Sequence, residues 1–133
     1  MRWLLAIFFL FLLITPIKAQ VGVCSQWSFG ETTAVTPITQ IVPAISNASV
    51  HICGLVFFAT SANADITLYS GTGTNCATNQ QALTPTLTVG PNGPLVLFNQ
   101  SPIMKTDPGT ALCGSYDSKN TGTLDWMIFW AQY

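Results

Sequence analysis

Beyond residue 20, no stretch of this chain keeps apolar residues at the i, i+3, i+4, i+7 spacing of a helix. Short alternating or apolar runs are cut at close intervals by glycine, proline, asparagine and aspartate. An amphipathic helix needs the first pattern and a half-buried strand the second. Many short strands with frequent turn signals point to an antiparallel β-sandwich or barrel. The reading is therefore all-β: a single antiparallel β-sandwich, jelly-roll-like or Ig-like.

The clearest early strand is Ser49–Thr60, with Val50, Ile52, Val56 and Phe58 on one face and His51, Cys53, Leu55 and Phe57 on the other. Apolar groups on both sides predict a central strand covered twice. After the turn Ser61-Ala62-Asn63, Ala64–Ser70 directs Ile66 and Leu68 inward and Asp65, Thr67 and Tyr69 outward, and the two strands are expected to form a hairpin. Ala77–Pro85 carries no clear pattern and reads as a loop, and Thr86–Val89 as a short strand. Leu95–Phe98 reads as a fully buried strand, Thr110–Tyr116 as another, and Asp117–Gly122 as a polar turn. In the last strand, Thr123–Tyr133, Leu124, Trp126, Ile128 and Trp130 share one face. Val21–Phe29 and Thr32–Val42 read as edge strands, where Pro37 and Pro43 leave no ladder bond unmade.

The N-terminus carries Arg2, then twelve uninterrupted apolar residues, Trp3–Ile14, then Thr15-Pro16 and a small residue, Ala19. This is the layout of a cleaved signal peptide over residues 1–19, since a spanning helix needs about 20 apolar residues. The expected product is Gln20–Tyr133, one secreted domain with no membrane segment. It holds two lysines, Lys105 and Lys119, against Glu31, Asp65, Asp107, Asp117 and Asp125. Without a basic patch to neutralise phosphate, nucleic-acid binding is excluded.

All four cysteines, Cys24, Cys53, Cys76 and Cys113, follow the signal segment. An even number in an exported chain implies disulfides. Three connectivities are open. The expected hairpin favours Cys53 with Cys76 at its open end, leaving Cys24 for Cys113. No pair has C-x₂-C spacing and His51 is the sole histidine, so no metal site is expected. No cofactor is expected either. Gly71-x-Gly73 lacks the third glycine of a dinucleotide loop, because Cys76 stands there, and no helix follows. In Asp117–Gly122, Lys119 occupies a position where a calcium loop needs oxygen.

His51, inside an alternating strand, reads as a structural histidine, and the scattered aspartates read as turn and strand residues. No catalytic residue is assigned. Asn47-Ala48-Ser49 and Asn99-Gln100-Ser101 are N-glycosylation sequons. The candidate interface or ligand aromatics are Trp27, Tyr69, Tyr116, Trp126, Trp130 and Tyr133, because tryptophan and tyrosine are favoured at interfaces and stack on sugar rings.

A motif order runs through most of the chain: Cys24, Ile52-Cys53-Gly54, Ser70-Gly71-Thr72-Gly73-Thr74-Asn75-Cys76, Gly109-Thr110-Ala111-Leu112-Cys113 and Trp130-Ala131-Gln132-Tyr133. It resembles small disulfide-bonded β-sandwich domains of phage structural proteins and related secreted proteins. That resemblance implies a jelly-roll-like module with a structural or surface-attachment role and no catalytic residue. The expectation is a non-enzymatic extracellular structural or surface-assembly subunit, virion- or cell-surface-associated, that self-associates or meets a surface protein or glycan. A secreted carbohydrate-binding or adhesion module is the alternative.

Overall fold

A computed structural model describes residues 24–32, 36–60, 62–91, 93–118 and 123–133. The expected signal segment and residues 119–122 of the expected polar turn lie outside the described residues. The strands are β1 (Gln26–Thr32), β2 (Thr36–Val42), β3 (Val50–Ala59), β4 (Ala64–Thr72), β5 (Thr78–Ala82), β6 (Leu87–Val89), β7 (Leu95–Phe98), β8 (Met104–Lys105), β9 (Ala111–Ser118) and β10 (Leu124–Gln132). A 3₁₀ turn at Thr74–Cys76 follows β4, and no α-helix occurs among the described residues.

The strands form two antiparallel sheets built to one plan. Sheet A runs β1-β10-β3-β7, with β8 also on β3; sheet B runs β2-β9-β4-β5, with β6 also on β4. In each, a proximal edge strand flanks a long C-terminal strand, then a long central strand, and two short strands share the last position. The sheets pack face to face. Val50, Ile52, Leu55, Phe57, Leu124 and Ile128 from sheet A and Val42, Ile66, Leu68, Val89, Leu112 and Tyr116 from sheet B make one buried cluster. Burying each large side chain contributes about 1.5–3 kcal/mol.

Where two short strands share one edge, a gap in the ladder is left between or beside them. Buried threonines fill it. Thr106 Oγ1 accepts the Val50 N–H at 3.0 Å in sheet A, and Thr84 Oγ1 accepts the Leu68 N–H at 3.0 Å in sheet B. This is why these two hydroxyls are buried: each supplies an oxygen where a strand carbonyl is missing.

The edge strands and the inward Ile66 and Leu68 agree with the sequence reading. Other expectations are corrected. β3 and β4 form no hairpin; the chain crosses from one sheet to the other between them, so β3 pairs with β10, β7 and β8. Its faces also switch midway. Phe129 pairs with Gly54 but Trp130 with Ile52, leaving Cys53 as an extra residue in a bulge. The inward set is therefore Val50 and Ile52 before the bulge and Leu55, Phe57 and Ala59 after it. Val56 and Phe58, grouped with Val50 by strict alternation, point outward. β7 is an edge strand rather than a buried one: Val96, Leu97 and Phe98 are exposed. Ala77–Pro85 contains β5, all of it exposed.

The disulfides join Cys24 to Cys53 and Cys76 to Cys113. The pairing of Cys53 with Cys76 fails for the same reason as the hairpin, since β3 and the turn after β4 belong to different sheets. Each bond stays within one sheet, with Cα atoms 6.0 Å and 6.3 Å apart. By the chain-entropy argument each contributes about 3.5–4 kcal/mol.

Candidate functional site

The outer face of sheet A carries the feature that most needs explanation. Strand register arranges its side chains in three rows across the sheet. One row is Trp27, Phe129, Gly54 and Phe98; the next is Phe29, Met127, Val56 and Val96; the third is Glu31, Asp125 and Phe58. Trp27 is 59% exposed, Phe29 67% and Phe98 60%. Phe58, Val96 and Met127 are exposed as well. Single exposed apolar residues are ordinary, but a contiguous patch rimmed by polar groups marks an interaction surface.

The aromatics are organised by their neighbours. Trp27 and Phe29 stack with ring centroids 5.3 Å apart. The Phe98 ring meets Phe129 at 4.8 Å and lies over Gly54, where a Cβ would come within 2.7 Å of it. Two shallow hollows flank this arrangement. One, about 410 Å³, is lined by Phe29, Val56, Phe58, Trp126, Met127 and the carboxylate residues Glu31 and Asp125. The other, about 300 Å³, lies beside the Cys24–Cys53 disulfide between Phe98 and Phe129, with Asn99 and Gln100 at its rim.

Strand β1 explains how this face stays apolar. Its inward positions are Gln26, Ser28 and Gly30, opposite Trp130, Ile128 and Trp126. A Cβ at Gly30 would sit 2.5 Å from the Trp126 ring, and Trp130 donates its indole N–H to Ser28 Oγ at 3.0 Å. Both tryptophans of β10 thus lie over the inner side of β1, and its own large side chains, Trp27 and Phe29, face out.

Of the six aromatics singled out from the sequence, only Trp27 is exposed on this patch; Trp126 reaches it only as part of the lining of one hollow. Trp126 and Trp130 are half-buried against the core and Tyr116 is within it. Tyr69 is half-buried on sheet B beside Cys76 and Cys113. Tyr133, exposed, stacks on His51 at 4.0 Å. The patch is made instead by Phe29, Phe58, Val96, Phe98, Met127 and Phe129. Phenylalanine and valine carry no signal that separates core from surface. The detectable hint was the alternation Trp27-x-Phe29-x-Glu31, which puts both aromatics on the face of a charge.

At the far end of the same face stand His51 and its register partner Lys105. Desolvation, then the Lys105 ammonium, holds the His51 imidazole below its ordinary pKa. No group of three or more His, Cys, Asp or Glu side chains able to hold a metal ion occurs among the described residues. Nor is any helix among them long and apolar enough to cross a membrane, which leaves membrane crossing by strands unaddressed. The two disulfides suit an oxidising environment.

No family model matches the chain, and no curated protein matches it. Among solved structures, the chain is similar to one from "Structure of infectious bursal disease virus Gt strain", at 12% identity and a TM-score of 0.43. The match covers 83% of this chain and 30% of that one, so this chain spans less than a third of its length.

Proposed function

We propose that this protein is a secreted, non-enzymatic jelly-roll domain that acts as a structural or surface-assembly subunit at a virion or cell surface. The strand orders β1-β10-β3-β7 and β2-β9-β4-β5 are those expected of two facing sheets wound as a double Greek key. The observation that carries the function is the open aromatic face of sheet A, with Trp27, Phe29, Phe58 and Phe98 exposed on it. A secreted monomer gains nothing from leaving so much apolar area in water, whereas a subunit buries it on assembly. The sparse charge, 7% of the chain, also favours association over repulsion. Its resemblance to phage structural domains agrees with this role.

The test is light scattering with negative-stain microscopy on the oxidised, secreted protein. Ordered oligomers or filaments are expected; a strict monomer at millimolar concentration would end the assembly reading.

A second reading is a carbohydrate-binding or adhesion module. It is favoured by one feature, the stacked Trp27–Phe29 pair beside the hollow that Glu31 and Asp125 border. Aromatic faces stack on sugar rings and carboxylates accept hydroxyl hydrogen bonds. A glycan array with no hits, and Trp fluorescence unmoved by sugars, would remove it.

A further inference from the structure

We infer that the Cys24–Cys53 disulfide is a reducible clamp on the edge strand β1. A dithiol reductant cuts it in the folded protein, and β1 then opens from sheet A while the rest of the sandwich, with Cys76–Cys113 intact, stays folded. The inference is independent of the assembly reading above.

Three observations carry it. The first is that the two disulfides differ in access. Cys76 and Cys113 are 1% and 0% exposed, in a buried cluster with Ala111 packed against Ile38 and Tyr69. Cys24 is only half-buried, and with Cys53 it lines the hollow of about 300 Å³ between Phe98 and Phe129. Exchange begins when a thiolate attacks a disulfide sulfur, so its rate depends on access. A small dithiol reaches the first bond from the hollow and is kept from the second. It attacks one sulfur to give a mixed disulfide, and its second thiolate then closes on its first sulfur. Cys24 and Cys53 are left as thiols, having taken the two protons, and the reductant is oxidised to a cyclic disulfide.

The second observation is how little else holds β1. From Gln26 to Glu31 no residue is buried, and none joins the core cluster. The edge strand of sheet B, β2, instead sends Val42 fully into that core. Strands with few buried apolar contacts lie at the low-stability end of a fold. Apart from its ladder to β10, β1 has the Gly30–Trp126 contact and the Ser28–Trp130 hydrogen bond.

The third is what each bond ties. Cys76–Cys113 joins the turn after β4 to β9, strands already paired from Ala64 to Gly71. Cys24–Cys53 reaches from the entry of β1 past β10 to β3, and β1 and β3 are not neighbours. Its Cα atoms are 6.0 Å apart, against about 9.6 Å for two strand spacings, so the chain entering β1 is drawn in over β10. The bond thereby fixes the N-terminal end of β1, and the chain leading to β2 fixes the other. Cutting it leaves β1 docked most of the time but opening far more often. Each opening takes Trp27 and Phe29 off the aromatic face and bares the edge of β10.

The experiment begins with the oxidised protein, secreted from its full-length precursor, in dithiothreitol without denaturant. Free thiols are trapped by alkylation and mapped by mass spectrometry. Cys24 and Cys53 should be labelled about tenfold or more faster than Cys76 and Cys113. Hydrogen–deuterium exchange then compares Cys24→Ala with Cys53→Ala against Cys76→Ala with Cys113→Ala, urea denaturation verifying that each is folded. The first pair should speed exchange of the β1 amides bonded to β10 by about tenfold or more, and the second should leave them unchanged although it too lowers global stability. Should either variant fail to fold, exchange in the native chain reduced at Cys24–Cys53 alone gives the same readout. Selective labelling together with selective opening of β1 supports the clamp. Equal labelling of the two bonds overturns it, as does exchange of β1 that is unmoved or that rises equally in both variants.

Discussion

The outer faces of the two sheets are built on the same strand plan and end up chemically opposite. On sheet B the face is closed at one end and polar at the other. The turn Thr74–Cys76 folds back over it, and the Cys76–Cys113 bond, with Ala111, forms a small buried cluster that covers Ile38 and Tyr69. Towards the other end, Thr88 donates to Asp65 at 2.6 Å and the Thr67 and Thr86 hydroxyls meet at 3.2 Å. On sheet A the disulfide lies at the edge of a hollow rather than over a cluster, and Trp27, Phe29, Phe58 and Phe98 remain uncovered. One sheet has its cover within the chain, and the other has none among the described residues. Symmetry of topology therefore says nothing about symmetry of function; what distinguishes the faces is which side chains the chain itself can reach.

The sharpest way to break this contrast is to remove the cover of sheet B. Replacing both Cys76 and Cys113 by Ala should cost about 5 kcal/mol in urea unfolding, about 4 from loop closure plus lost burial around Tyr69. It should also raise binding of a hydrophobic dye, making face B resemble face A. The corresponding change at Cys24 and Cys53 should cost about 3.5 kcal/mol, with little new dye binding because that face is already open.

A smaller effect separates the faces residue by residue. Tyr69→Ala should destabilise by about 2 kcal/mol, and Phe29→Ala by under about 0.5 kcal/mol, since only the first loses burial. Equal costs would mean that Phe29 is covered within the monomer. Between these lies Thr106→Val, expected to cost about 1–3 kcal/mol by leaving the Val50 N–H without its acceptor.

The smallest expected effect is on pH. The His51 pKa is lowered by desolvation first and Lys105 second, so the unfolded chain binds the proton more readily. Stability from this group is present above the ordinary imidazole value of about 6.5 and is lost as pH falls below it toward the lowered folded value. Urea midpoints of the native protein should fall modestly below that pH, and His51→Gln should flatten the decline.

Much of the fold was legible in the residues. The alternation in Ala64–Ser70 and the prolines near β2 place strands and edges through local rules. The candidate site was legible only at Trp27. Phe98 and Val96 were read as buried because an apolar run looks the same in a covered strand and in an edge strand. Phe58 was assigned to the face of Val50 because period-two counting has no means of seeing a bulge at Cys53.

Sequence alone determined an all-β chain, the positions of most strands and the oxidation of the cysteines, because these follow from spacing, turn chemistry and composition within a few residues. Tertiary structure alone decided that β3 sits between β10 and β7, that Cys24 meets Cys53, and that Trp27, Phe29 and Phe98 share one uncovered face. The reason is physical: strand partners here are separated by tens of residues, and their pairing is selected by which packing buries the most apolar area in the common core. No local pattern carries that comparison.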